Sequence, residues 1–118
     1  MHDDADEIVH KMKGADVIAF ATPIYYYEMA GQMKTLLDRA NPLFPSDYAF
    51  RDIYLLASCA EDKDSAVDGA MHGLEGWISC FEKCRLAGVA RGSGVTNPGE
   101  MRAKAAAMHE AYVMGKNL

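Results

Sequence analysis

The stretch that decides the fold is Ala15–Asn41, ADVIAFATPIYYYEMAGQMKTLLDRAN. From Ala15 to Ala21 it is a short apolar run rich in β-branched and aromatic residues, opened by Gly14-Ala15-Asp16 and closed by Thr22-Pro23. Such a run reads as a strand buried on both faces, as in a parallel sheet. Pro23 has no N–H to give to a ladder, so the strand is expected to stop there. Tyr25, Tyr26 and Tyr27 follow, then Glu28. From Met29 the period changes: Met29, Met33, Leu36, Leu37 and Ala40 fall at helical spacing, with Gln32, Lys34 and Asp38 opposite. Strand, aromatic loop and amphipathic helix make half of a βαβ unit. In open α/β sheets ligands bind beyond the carboxyl ends of the strands, where these tyrosines sit.

Working outward, Asp4 to Lys13 reads as a helix with Asp4 as cap, Glu7 at the third helical position and Gly14 as a left-handed stop. Asn41 to Asp52 is a loop marked by Pro42, Pro45 and Ser46-Asp47. A second buried strand, Ile53 to Ala57, ends at Ser58-Cys59-Ala60, and Glu61 to Ser65 is a charged surface loop. Ala66 to Cys84 has the pattern of a long helix with a stripe of Leu74, Trp77, Ile78 and Phe81. A third strand lies within Leu86 to Ala90, and Asn97-Pro98-Gly99-Glu100 reads as the start of a last helix ending at Gly115. Ala103, Ala106, Ala107 and Ala111 would let that helix approach a sheet closely. Strands alternating with helices predict an α/β fold: one domain, with a parallel sheet from about 16–22, 53–59 and 86–92 and helices on both faces.

Composition narrows the function. A chain of 118 residues with half its residues hydrophobic and a quarter charged is of ordinary globular type. The net charge of −5, with no basic stripe, argues against a nucleic-acid surface. No apolar run approaches the ~20 residues of a membrane span, and the acidic start is unlike a secretory signal, so a cytoplasmic protein is expected. Three cysteines do not make a disulfide framework. Cys80 and Cys84, one helical turn apart, could offer two metal ligands, but no further ligands lie nearby. Buried or half-buried thiols are the expectation, with no metal site.

The residues TPIYYYEMAGQMKTLLDR resemble the loop and helix after the third strand of flavodoxin-like NAD(P)H-dependent FMN reductases and iron–sulfur flavoproteins. The family pattern is a small residue, Pro, an aliphatic, Tyr, an aromatic or Asn, then Gly-x-x-Lys and Asp-Arg. Thr22, Pro23, Ile24, Tyr25, Gly31, Lys34, Asp38 and Arg39 match it. VTNPGE with its alanine-rich tail resembles the family's C-terminal end. The resemblance implies a truncated flavodoxin-like three-layer sandwich whose strands are equivalent to strands three, four and five. The N-terminal phosphate-binding strand, loop and helix have no counterpart, nor does the segment that carries the cysteine cluster of iron–sulfur members.

The resemblance further implies a flavin oxidoreductase with FMN as cofactor and NAD(P)H as co-substrate, acting on a small acceptor such as a quinone or free flavin. Thr22, Pro23, Ile24, Tyr25, Tyr26 and Tyr27 match the loop along the isoalloxazine ring. Ser58, Cys59 and Ala60 stand at its second contact loop. Tyr26 replaces a common Asn. Without the phosphate nest, FMN binding by this chain alone is expected to be weak or absent. The tyrosines read equally as a subunit contact. Lys34, Asp38 and Arg39 read as a solvated helix face, and the four histidines show no metal spacing. A non-enzymatic relative or half-domain, persisting as an oligomer or subunit, is the alternative function. In either case the uncharged edge of residues 17–21 predicts association into a homodimer or higher homo-oligomer.

Overall fold

The computed structural model describes residues 2–118. Helix α1, Asp4–Gly14, is capped by Asp3, not Asp4: its carboxylate accepts the Ala5 N–H at 3.1 Å. Gly14 stays helical, and the turn out of the helix is made by extended Ala15. Strand β1, Val17–Tyr25, runs through Pro23 and past the expected stop. From Val17 to Pro23 it has a neighbour on one side only, and an edge tolerates the missing N–H of a proline. The chain then folds back as β2, Glu28–Met29, pairing antiparallel with Ile24 and Tyr25. Helix α2, Gly31–Arg39, therefore begins two residues later than Met29, where the helical period starts.

Strand β3, Asp52–Ser58, and strand β4, Arg85–Gly92, complete the sheet in the order β2-β1-β3-β4. The pairs β1–β3 and β3–β4 are parallel, so the three predicted strands form the predicted parallel sheet, with an antiparallel hairpin strand added at one edge. A register shift at Ile53/Tyr54 kinks β4. Between β3 and β4, a 3-10 turn at Asp64–Val67 leads into α3, Asp68–Ile78. This helix stops well short of Cys84 because Phe81 must turn inward. Phe81 is 4% exposed and packs against Trp77 and Phe50, with ring centroids at 4.5 and 5.6 Å. Cys80 and Cys84 thus lie in a turn. Cys80 is exposed, against expectation, while Cys84 is half-buried.

The last helix also starts late. Gly99 takes φ 86°, a left-handed conformation that breaks the helix at its expected first turn. Glu100 still reaches back to the Thr96 N–H and the Asn97 amide, at 3.0 and 2.6 Å. Only a 3-10 turn forms there, and α4 spans Ala105–Lys116, with Gly115 inside it.

Helices α1, α2 and α3 cover one face of the sheet. Val9, Met12, Met33, Leu37, Leu74 and Ile78 pack with Ile18, Phe20, Ile53 and Leu55 in one core. The Trp77 indole N–H donates to the Leu37 carbonyl at 3.2 Å, tying α3 to the end of α2. Arg39 joins α2 to α1 through Asp3 and Asp6, at 2.7 and 3.2 Å, so it is a clamp and not simply a solvated residue. Lys34 pairs with Asp38 on the helix surface, as expected.

The opposite face carries α4 alone, against β3 and β4, where Gly88 lets Met114 lie near Tyr54. Ala19, Ala21 and Pro23 of β1 are exposed on that side. The reading of β1 as buried on both faces is therefore corrected: its residues alternate, because α4 is too far along the sheet to reach them. Among the described residues no helix is long and apolar enough to cross a membrane.

Candidate functional site

The parallel register places Pro23 beside Ser58 and Ser58 beside Gly92, so three chain segments leave the sheet at one end. The first segment is the tyrosine hairpin. Tyr26 and Tyr27 have φ of 51° and 65°, the left-handed pair that a two-residue type I′ turn requires. Such turns favour Asn-Gly, since a left-handed L-residue costs roughly 1–2 kcal/mol. Two tyrosines here are strained, and strain of this kind is held by the surroundings.

The holding groups can be named. The Tyr27 carbonyl rests on α3 where Gly69 leaves room: a Cβ at Gly69 would overlap that oxygen. The Lys63 ammonium lies 5.4 Å from the centre of the Tyr27 ring. Thr22, only 4% exposed, accepts the Ala30 N–H at 2.9 Å and donates to the Pro23 carbonyl at 2.8 Å. It thereby fixes the first N–H of the α2 entrance to the end of β1. The Thr22 hydroxyl is thus a clasp, fully engaged within the chain. Tyr26 is left 99% exposed and Tyr25 60% exposed, both at the sheet end.

The second segment, Ser58-Cys59-Ala60, is laced to the third. The Cys59 N–H donates to the Gly92 carbonyl, and the Val95 N–H donates back to Cys59, both at 2.9 Å. Gly94 N–H is taken by the Glu61 carbonyl, and Ser93 Oγ by Asp64. Gly92-Ser93-Gly94 is accordingly a braced turn, its Gly94 N–H already engaged. Cys59 is buried, which raises its thiol pKa, and the nearby Glu61 and Asp64 carboxylates push the same way against a lowering contact from the Gly94 backbone. Ser58 is half-buried and Ala60 exposed, flanking Cys59.

Between this sheet end and α4 lies an apolar cavity of about 380 Å³, lined by Thr22, Pro23, Ser58, Met101, Met108 and Ala111 among others. Thr22, Pro23 and Ser58 are thus brought to one cavity. Ile24 packs against the core, while Tyr26 and Tyr27 stand outside the cavity on the hairpin tip. Met101 and Met108 were not legible as site residues, since an alanine-rich helix signals packing and not what it packs against. Lys63 and Gly69 gave no signal either. A separate polar recess of about 350 Å³ holds Arg91 and Lys104 but also Asp64 and Glu110, so its charges balance. Among the described residues no group of three or more His, Cys, Asp or Glu could hold a metal ion.

What the arrangement offers is an apolar slot and exposed aromatic rings across the carboxyl end of a parallel sheet. In open α/β sheets this end is where ligands bind, and planar rings are held there by stacking and backbone contacts. The model of the NADPH-dependent FMN reductase family matches residues 1–75, and the chain belongs to that family.

Among curated relatives, an iron–sulfur flavoprotein of Methanosarcina thermophila is 27% identical over 100 residues, 83% of this chain and 52% of that protein. An iron–sulfur flavoprotein of Archaeoglobus fulgidus is 40% identical over 40 residues, 34% of this chain and 18% of that one. The chain thus spans about half the length of the first and a smaller part of the second. Among solved structures, the Trp repressor binding protein of Bacillus subtilis superposes with a TM-score of 0.77 at 20% identity, over 92% of this chain and 68% of that one. An azoreductase from Bacillus anthracis gives 0.66 at 16% identity, over 96% and 62%. At these identities the structures bear out the fold.

Proposed function

We propose that the chain is a cytoplasmic NAD(P)H-dependent FMN oxidoreductase, its 118 residues acting as one domain within a homo-oligomer and passing electrons to a small acceptor such as a quinone or free flavin. The observation that carries this reading is the strained, braced tyrosine hairpin beside an apolar cavity, in a chain of this family. FMN, when bound, supplies the redox chemistry, taking a hydride equivalent from the nicotinamide and handing two electrons on.

The chain's own residues bind and orient. In this reading the chain at Pro23, Ile24 and Tyr25 would run along one side of the ring and that at Ser58 and Ala60 along the other, with Pro23 and Ser58 lining the cavity. Tyr26 offers a face for stacking, either to the isoalloxazine or to the incoming acceptor, and a single aromatic pair is worth ~0.5–1.5 kcal/mol beyond its buried area. Thr22, Cys59 and Tyr27 act through position: each is tied into the chain, and each fixes one wall of the site. The apolar lining suits the dimethylbenzene side of the ring. Among the described residues the turn at 92–94 offers a phosphate dianion less, because the Gly94 N–H is taken by the Glu61 carbonyl and the recess beside it carries as many acidic as basic side chains.

The test is steady-state NAD(P)H oxidation with added FMN and a quinone, followed at 340 nm. Turnover above the protein-free rate, reduced in Tyr26→Ala and Pro23→Ala, supports the assignment. Rates equal to the protein-free control at saturating FMN would overturn it.

A further inference from the structure

We propose that Lys63 is a positioning residue for the flavin reaction, holding the tyrosine hairpin in place through the face of the Tyr27 ring. The part in flavin binding rests on the reading above, whereas the grip on the hairpin rests on the contact itself. The Lys63 ammonium stands 5.4 Å from the centre of that ring, within the ~6 Å at which a cation is drawn to an aromatic face. Carboxylates adjoin it in sequence at Glu61, Asp62 and Asp64, and among the described residues it pairs with none of them.

The backbone explains that choice. Lys63 is extended, with φ −155° and ψ 135°, so its side chain leaves the chain opposite to those of its two neighbours. Asp62 and Asp64 turn toward the end of β4. Asp64 accepts the Ser93 hydroxyl at 3.0 Å, and a Cβ on Gly94 would stand 3.0 Å from an Asp62 carboxylate oxygen. Lys63 is left facing the hairpin.

The arm is also rooted. The loop that carries it is laced to the end of β4 through Cys59, Glu61 and Asp64, and the Lys63 carbonyl accepts the Ala66 N–H at 3.2 Å. Further along the same segment, Gly69 seats the Tyr27 carbonyl. Residues 63–69 therefore hold Tyr27 by its ring and by its carbonyl. Tyr26 offers no such handle, being 99% exposed, while Tyr27 is covered to about half. A left-handed pair without Asn or Gly persists only where the surroundings hold it, so the hold comes through Tyr27. Gly69 receives the hairpin's backbone and Lys63 fixes its ring. The loop after β3 thereby sets the pose in which Tyr25 and Tyr26 stand at the sheet end.

Amide NMR and riboflavin titration of the chain and its variants test this, with riboflavin as the probe because it carries no phosphate for an ammonium to attract. Lys63→Met keeps most of the stem and removes the charge. Without ligand it should move the amide signals of residues 25–28 and leave those of 53–57 in place. It should also weaken riboflavin binding about two- to five-fold, the factor an exposed cation–π contact supplies. Lys63→Arg keeps a cation over the ring and should restore both readings. In a Tyr27→Leu chain, Lys63→Met should change neither, because the ring it acts on is gone. Hairpin signals unmoved by Lys63→Met overturn the proposal. So does a full effect of Lys63→Met in the Tyr27→Leu chain, which would make the lysine act on the ligand directly, or a failure of arginine to rescue. Moved hairpin signals with unchanged riboflavin affinity would leave a structural grip and overturn the positioning role. A parent chain that binds no riboflavin, while its hairpin signals still answer to the charge, counts against the flavin assignment and not against the grip.

Discussion

Gly69→Ala and Gly76→Ala are the same change in the same helix, yet they should act in opposite directions. An alanine in place of a helical glycine stabilises by ~1 kcal/mol where nothing obstructs it. At Gly76 an added Cβ meets no atom within 4 Å, so Gly76→Ala should show that gain. At Gly73 the Cβ would stand 3.2 Å from the Met29 methyl, the flexible end of a side chain, and a smaller gain is expected. At Gly69 it would overlap the Tyr27 carbonyl, which is backbone and cannot swing away. Overpacking of that kind costs ~1–3 kcal/mol, and in the first turn the propensity gain is small. Gly69→Ala should therefore lose about 1–2 kcal/mol overall.

Urea unfolding followed by Trp77 fluorescence at one fixed chain concentration measures all three, because association would otherwise shift the midpoint. Gly76→Ala should rise above the parent and Gly69→Ala fall below it. In thermal melts a difference of 1 kcal/mol corresponds to ~4 °C for a chain of this size. The displaced hairpin should also loosen flavin binding in Gly69→Ala and leave it unchanged in Gly76→Ala. If Gly69→Ala proves as stable as Gly76→Ala, the hairpin is not seated on α3 and the reasoning fails.

Thr22→Val keeps the shape but strands the buried Ala30 N–H, which should cost ~1–3 kcal/mol of stability in the same urea assay. Tyr26→Gly relieves one left-handed tyrosine, so it should stabilise the fold by ~1 kcal/mol while weakening flavin binding, a split readable by melting and titration together. Cys59 is held protonated by burial, so its folded pKa lies above its unfolded one. Both states keep the proton at neutral pH. As pH rises past the ordinary thiol value the unfolded chain ionises first, and stability should fall there. Cys59→Ala should flatten that alkaline slope in denaturation curves. In the native chain Cys80 should alkylate well before Cys59, since Cys80 alone of the two is exposed.

The three parallel strands and the helix after the tyrosines were legible because apolar runs and helical spacing report burial directly. The bare face of β1 was not, since alanines at 19 and 21 look apolar whether covered or wet. The hairpin strand Glu28–Met29 escaped notice because its turn is Tyr26-Tyr27, without the Asn or Gly that announces a left-handed pair. Gly99 was read as part of a helix start, yet its positive φ postponed the helix to Ala105. The candidate loops at 22–27 and 58–60 came from the resemblance, and the register brings Pro23 and Ser58 side by side. Met101, Met108, Gly69 and Lys63 depend on how distant segments meet, which no local pattern encodes.

In the proposed function these two loops hold the flavin by its ring, with the phosphate contributing little. Parallel amide-NMR titrations with riboflavin and with FMN test it most directly. Both ligands should shift the same amides, at residues 22–27 and 58–60, with affinities within a few-fold of each other. Shifts that avoid both loops, or FMN binding far tighter than riboflavin, would contradict it.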